Sequence, residues 1–456
     1  MNFEQFDSYL EQNRQNILDN LDEFCRIASV SAEGGPAMRQ AAGFTVDLCH
    51  DAGLTTNLVP QGGGPPLIIA EAGDGPRCLM IYNHYDVQPP DPLDQWHSPP
   101  FVPEIRDGTF FARGVADNKG DLLARLTAIK AFQDTSGPLP LRILYIIEGE
   151  EEMGSSHLFG FAAENGNLIG KADGCLWEYG EKSTDDRPVV NLGVKGILPV
   201  EFRVSTAATD AHSGYGGILP NAAWRLVEAL GTLRASDGQI TVDGFMDHVR
   251  PVTQADRALL ETLPFDDKAI ENSLGLHQGL LGGLSGNAAL ERLLMAPSCS
   301  INGMLSGYTG TGSKTVVPAT AMAKLDFRLV PDLTPDLALG LLREHLDRRG
   351  FDDVEITNCQ DGLIPSRTSP DALIARAVVG ALRAVDQAEP LVYPSAAGSG
   401  PMHELCGIHG VPVASTGVAY YGSRVHAPDE NIRLDDFFEG IKVVGRLIDV
   451  FANASD

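Results

Sequence analysis

Apolar positions recur at helical spacing from the start of the chain. Phe3, Phe6, Leu10, Ile17, Leu18, Leu21, Phe24 and Ile27 fall near one face, which predicts an opening amphipathic helix over roughly the first 25 residues. The pattern then changes to short apolar runs, at Leu67–Ala70, Cys78–Tyr82, Leu141–Ile147 and Gly174–Trp177, alternating with helical stretches such as Asp121–Gln133. That alternation predicts an α/β fold, a sheet covered by helices.

A different texture follows the turn Gly193-Val194-Lys195-Gly196. It comprises a strand at Leu198–Val204, a helix at Ala222–Arg234, a stretch rich in Gly, Leu and Ser at Leu274–Ala288, and a strand at Ala321–Val330. We read residues 197–366 as an inserted α+β domain. After Pro365 the helix and strand alternation resumes, with a helix at Asp371–Asp386 and a strand at Val411–Val418. The first domain is therefore expected to be discontinuous, formed by residues 1–196 and 367–456. No internal repeat or low-complexity linker interrupts it.

Composition narrows the function classes. With 456 residues, 43% of them apolar, the chain can fill two or three cores. It has no apolar stretch of membrane-spanning length, residues 1–19 are polar and acidic, and the chain is expected to be untargeted and cytoplasmic. The seven cysteines show no C-x-x-C spacing and are expected to be reduced. Lys plus Arg total 34 against 61 for Asp plus Glu, a net charge of -27, which argues against nucleic acid as a partner.

Five short motifs carry candidate chemistry. His84 closes an apolar run, and Asp86, two residues on, can accept the proton of its other ring nitrogen and fix the tautomer. Asp117 sits in the loop Ala112–Gly120 before a helix; its two oxygens can each face one cation, which makes it the natural bridge of a dinuclear site. Glu148-Gly149-Glu150-Glu151-Glu152 follows a strand, and carboxylates crowded beyond an apolar strand are costly to hold without a cation. Adjacent side chains diverge, so of Glu151 and Glu152 one can bind metal while the other reaches a water. Glu178 follows Cys175-Leu176-Trp177, and His426 opens His426-Ala427-Pro428-Asp429-Glu430.

All five motifs lie at apparent strand ends, where α/β sheets place their ligands. Two histidines and three carboxylates without a thiolate form a hard to borderline donor set that suits Zn, Mn or Co. A pair of such ions would bring the pKa of a shared water to about 7, leaving a glutamate to shuttle the proton.

In order and wording, H-Y-D-V-Q-P-P, A-R-G-V-A-D-N-K-G, E-G-E-E-E-M-G-S, L-W-E and H-A-P-D-E resemble the carnosinase and aminoacylase family of dinuclear metallopeptidases, over about residues 20 to 445. The resemblance implies a zinc-peptidase-like catalytic domain with a mixed sheet sandwiched by helices, and a lid and dimerisation domain at 197–366. It implies that His84, Asp117 and Glu178 hold one divalent ion and Asp117, Glu152 and His426 the other. Asp86 would orient His84, and Glu151 would act as general base on the water between the ions.

The lid motifs are implied to bind substrate: His212, in Ala211-His212-Ser213-Gly214, from the opposite protomer of a homodimer, and Thr315 and Arg328 on the substrate's terminal carboxylate. Ser399, in Gly398-Ser399-Gly400, resembles another substrate-contacting position. Asn83 stands where the family commonly has Gly, and Asn118 where a second Asp is frequent. Glu178 stands where dipeptidase members usually carry Asp and the carboxypeptidase and deacylase members carry Glu. The expected activity is hydrolysis of dipeptides or short peptides with a free carboxylate, with an N-acyl-amino-acid deacylase or carboxypeptidase as the alternative.

Overall fold

A computed structural model of the chain describes residues 2–454 apart from 360–361 and 386–387. In chain order the principal strands are β1 Thr55–Gln61, β2 Gly64–Ala72, β3 Cys78–His84, β4 Arg142–Glu148, β5 Gly174–Trp177, β6 Val189–Asn191, β7 Gly196–Ser205, β8 Ser298–Ser306, β9 Thr320–Leu329, β10 Glu355–Asn358, β11 Leu391–Tyr393 and β12 Val413–Ser415. The principal helices are α1 Phe3–Gln12, α2 Arg14–Arg26, α3 Pro36–Asp51, α4 Gly120–Ser136, α5 Ala222–Leu230, α6 Gly286–Met295, α7 Pro335–Arg348, α8 Leu373–Arg383 and α9 Leu434–Asn453.

The chain divides into two compact units. The first comprises Met1–Gly193, Arg367–Pro394 and Glu404–Asp456, and the second Val194–Ser366 with Ser395–His403. The short segment Ser395–His403, expected from sequence to belong with the first domain, is part of the second.

In the first unit an eight-stranded mixed sheet runs in the order β1-β2-β4-β3-β5-β12-β6-β11. Its centre is parallel: β3 pairs with β4 and β5, and β12 with β5, all in the same direction. The carboxyl ends of these four strands therefore lie along one edge, and His84 stands in register with Glu148 across β3 and β4. The central strands β3, β4 and β5 are apolar almost throughout because they are covered on both faces. Helix α9 packs against α4 and α8, and α3 lies on β2, around a core that includes Leu79, Ile81, Ile143, Ile147, Leu176, Phe437 and Leu447. The expected mixed sheet between helices is what the first unit contains.

The opening helix is broken into α1 and α2 at Asn13, whose side chain turns back to donate to the Tyr9 carbonyl. Apolar spacing cannot reveal such a break, because Phe6, Leu10, Ile17 and Leu21 all remain buried on either side of it. The expected helix Asp371–Asp386 is realised as Leu373–Arg383, and its expected end at Asp386 lies outside the described residues. Only Val413–Ser415 of the expected strand 411–418 pairs with neighbours; the residues after it turn away at the functional edge.

The second unit is an antiparallel sheet in the order β8-β9-β7-β10. Residues Ala321, Ala323, Leu325 and Phe327 of β9 alternate with less buried ones and pack with Leu226 of α5 and Leu342 of α7. Helix α5 starts where the Asn221 side chain accepts from the backbone N–H groups of Ala223 and Trp224.

Candidate metal centre

The ends of β3, β4 and β5 carry His84, Glu152 and Glu178, and two loops bring Asp117 and His426 to the same place. His84, the last residue of β3, is fully buried, and its Nε2 lies 3.0 Å from Asp117 Oδ1 and 3.7 Å from Glu178 Oε2. His426 Nε2 lies 3.1 Å from Asp117 Oδ2 and 3.2 Å from Glu152 Oε2. Each oxygen of Asp117 thus faces a different histidine, and two groups of three donors share that one carboxylate. Of these, His84, Asp117 and Glu152 offer ligand atoms within 4.8 Å of one another.

The carboxylates around this point are poorly satisfied by the protein. Glu152 Oε1 and Glu178 Oε2 are buried and accept no hydrogen bond from the described residues. Burial drives the Glu178 carboxyl up to about 8, opposed by His84 and reinforced by Asp117, Glu148 and Glu152. Glu151 is likewise raised well above the usual carboxylate range, by burial first and then by the charge of Glu178. Hydrogen bonds that Asp117 and Glu152 accept from its ring lift His426 to about 10. Burial opposes ionisation of Asp117, yet the two histidines hold its carboxyl below its ordinary value. Crowded carboxylates with orphaned buried oxygens and two imidazoles converging on a shared aspartate fit divalent cations, which would supply the missing positive charge.

The surrounding residues explain how the groups are held. Asp86 Oδ1 lies 3.2 Å from His84 Nδ1, and the same carboxylate accepts from the backbone N–H groups of Glu151 (3.3 Å) and Glu152 (3.1 Å). One aspartate therefore aligns the imidazole and the acidic turn together. Gln88 donates to Glu152 Oε2 at 2.9 Å. Residues 424–429 form a tight turn in which Arg424, His426 and Asp429 all have positive φ, which aims the His426 ring back at Asp117.

Several supporting residues were not singled out by sequence reasoning. Glu430 is buried and accepts from Arg113 Nη1 (2.6 Å) and from the backbone N–H groups of Gly114, Ala116 and Asp117, so it pins the loop that carries the shared aspartate. It belongs to the His426–Glu430 motif, yet nothing local shows that it reaches a loop more than 300 residues earlier. Lys119 anchors that loop from the other side, donating from Nζ to the carbonyls of Phe24 (3.0 Å) and Ile27 (2.6 Å). Arg125, on α4, donates to the carbonyls of Tyr82, Trp177, Glu178 and Thr416 and to Asn83 Oδ1, tying together the ends of β3, β5 and β12. Asn83 and Asn118 hydrogen-bond through their side chains, and Asn118 Nδ2 also donates to the Glu178 carbonyl.

The residues expected to contact substrate lie in the second unit. Arg328 Nη1 donates to Ser399 Oγ at 2.8 Å, which accounts for the segment Ser395–His403 joining this unit. His212 is exposed, pairs across a short ladder with Val316, and accepts at Nδ1 from Gly214 N–H. Thr315 is brought beside it, its carbonyl accepting from Ser213 N–H. His212 and Arg328 make no mutual contact within the chain.

The profile described as Peptidase family M20/M25/M40 matches residues 80–450. The Beta-Ala-His dipeptidase of Homo sapiens is 29% identical over 404 residues, spanning 84% of this chain and 79% of that protein. The Cys-Gly metallodipeptidase of Saccharomyces cerevisiae is 30% identical over 296 residues, 62% of this chain and 60% of that one. Among solved structures, an M20 family metallo-carboxypeptidase, Sso-CP2 of Sulfolobus solfataricus, superposes with a TM-score of 0.87 at 35% identity, covering 96% of this chain and 99% of that one.

Proposed function

We propose that this chain, which belongs to peptidase family M20/M25/M40, cleaves the amide bond of dipeptides or short peptides that end in a free carboxylate. It is a hydrolase, and its relatives in this family are metal-dependent dipeptidases and carboxypeptidases. The observation that carries the finer reading is Asp117 facing His84 with one oxygen and His426 with the other, beside the orphaned oxygens of Glu152 and Glu178.

In this reading His84, Asp117 and Glu178 hold one divalent ion and Asp117, Glu152 and His426 a second, with zinc, manganese or cobalt suited to the donors. Ions held by these residues would supply Lewis acidity toward the scissile carbonyl and toward a water. Glu151 would take the proton of that water and deliver it to the leaving amine. Asp86 keeps the His84 ring in its ligating tautomer. Arg328, supported by Ser399, holds the substrate carboxylate, a role that Thr315 shares in this reading.

His212 stabilises the oxyanion in the site of the opposite protomer of a homodimer. Support for that pairing comes from apolar side chains left exposed on the second unit: Trp224 (66%) and Val227 on α5, and Ile301, Met304 and Leu305 on β8, an edge strand of its sheet. No described helix is long and apolar enough to cross a membrane. Seven free cysteines, six of them buried, support a reducing, cytoplasmic setting.

A second reading, carboxypeptidase or N-acyl-amino-acid deacylase, is favoured by Glu178 and by the metallo-carboxypeptidase at 35% identity. A matched panel of free dipeptides, longer peptides and N-acylated amino acids, assayed on metal-reconstituted protein, separates the two. Faster turnover of N-acyl amino acids or longer peptides than of any dipeptide would overturn the dipeptidase reading.

A further inference from the structure

The second unit contains a cavity of about 400 Å³ whose lining includes Lys195, Arg234, Arg292 and Arg328 and no carboxylate. Phe265, Ile270 and Leu281 are among the residues that form its apolar wall. Ala397, two residues before Ser399, also lines it, so the cavity is continuous with the Arg328 to Ser399 contact.

Lys195 is the informative member. Its side chain is almost fully buried, at 3% exposure, and Nζ donates to a single acceptor, the Ala296 carbonyl at 2.6 Å. Two of its three donors have no partner among the described residues. Burial pushes the ammonium down to about 8, and the nearby charges of Arg328 and Arg292 push in the same direction. Among the described residues Arg292 makes one long hydrogen bond, 3.5 Å to the Asp237 carbonyl. Arg328 has Asp326 at 3.6 Å from Nε, but among the described residues Lys195, Arg234 and Arg292 form no ion pair. Lys195 is buried while Arg292 and Arg328 are half-buried and Arg234 is exposed, and a buried cation with cationic neighbours and no counter-charge is costly unless a ligand brings one.

One carboxylate does not balance this cavity. If Arg328 takes the α-carboxylate, Lys195 and Arg292 remain uncompensated, beside an apolar wall that suits a short methylene stem. We propose that the cavity is a subsite for a second anion, the side-chain carboxylate of the substrate's C-terminal residue, so that the preferred substrates end in glutamate or aspartate. This rests on the reading of Arg328 as the α-carboxylate partner.

The test compares Ala-Glu with Ala-Gln on the metal-loaded enzyme, since the pair differs in charge and hardly in shape. Ala-Glu is expected to have a kcat/KM at least about tenfold higher, the scale of one desolvated charge contact. That ratio should collapse toward one in Lys195→Met, and in Arg292→Met should the first variant fail to fold. Calorimetric titration with N-acetyl-L-glutamate and N-acetyl-L-glutamine gives a readout independent of turnover, with at least about tenfold tighter binding of the dianion expected. Equal kcat/KM for Ala-Glu and Ala-Gln, or a ratio unchanged in both variants, overturns the subsite. Failure of the underlying Arg328 reading looks different: Ala-Glu amidated at its α-carboxylate would be hydrolysed as well as the free acid.

Discussion

Replacing Arg125 by methionine probes whether the metal centre depends on a clamp that touches no ligand side chain. Arg125 is 1% exposed and makes five hydrogen bonds, 2.5 to 3.1 Å long, to groups at the ends of three strands. Two of those acceptors keep another donor: Asn83 Oδ1 retains the Tyr145 hydroxyl at 2.6 Å, and the Glu178 carbonyl retains Asn118 Nδ2 at 3.0 Å. The loss therefore falls on the carbonyls of Tyr82, Trp177 and Thr416. At about 1–3 kcal/mol for each acceptor left unmet, with water entry relieving part of it, the substitution should cost about 3–5 kcal/mol. Met fills similar volume, so a cavity adds little. Denaturant unfolding of the metal-free protein measures the cost, and chelator competition measures metal affinity, expected to fall about 10–100-fold as His84 and Glu178 lose their fixed strand ends. Arg125→Lys, which keeps the charge but fewer donors, should fall between. A stability change under about 1 kcal/mol with unaltered metal affinity would refute the clamp.

Glu151→Gln should leave metal content unchanged while lowering kcat by about two orders of magnitude or more, because the proton carrier is removed and the ligands remain; retained turnover excludes it as the base. Asp117→Ala removes the carboxylate that both histidines face, and elemental analysis should find both ions depleted; two ions still bound per chain would contradict a shared ligand. Mixing inactive Glu151→Gln with inactive His212→Ala subunits should restore partial activity, since a hybrid dimer contains one site with both residues intact, and no recovery after verified subunit exchange removes the trans role. Arg328→Ala, or amidation of the substrate's α-carboxylate, should each cost about 2–4 kcal/mol in kcat/KM, and the two should not add because they remove one contact.

The candidate ligand positions were readable from the chain because each is a local event. A parallel strand must be an apolar run, and its polar termination marks the edge where a site can lie; that is how His84, the Glu148–Glu152 turn and Glu178 stand out. The inserted α+β segment was visible for the same reason, as a change in periodicity near Gly196. The break of the first helix at Asn13 was not, since both halves bury the same apolar face.

What only the tertiary structure decided is how these positions are held and how their charges balance. His426 meets Asp117 across 309 residues of sequence, Glu430 pins the Asp117 loop across more than 300, and Arg125 joins strand ends that no local spacing connects. The capture of Ser395–His403 by the second unit follows from the Arg328 to Ser399 bond, and the uncompensated cations around Lys195 come from separate segments of that unit. Apolar periodicity records which face of an element is buried. Whether a buried charge has a partner depends on which other segments fold against it, and only the folded chain determines that.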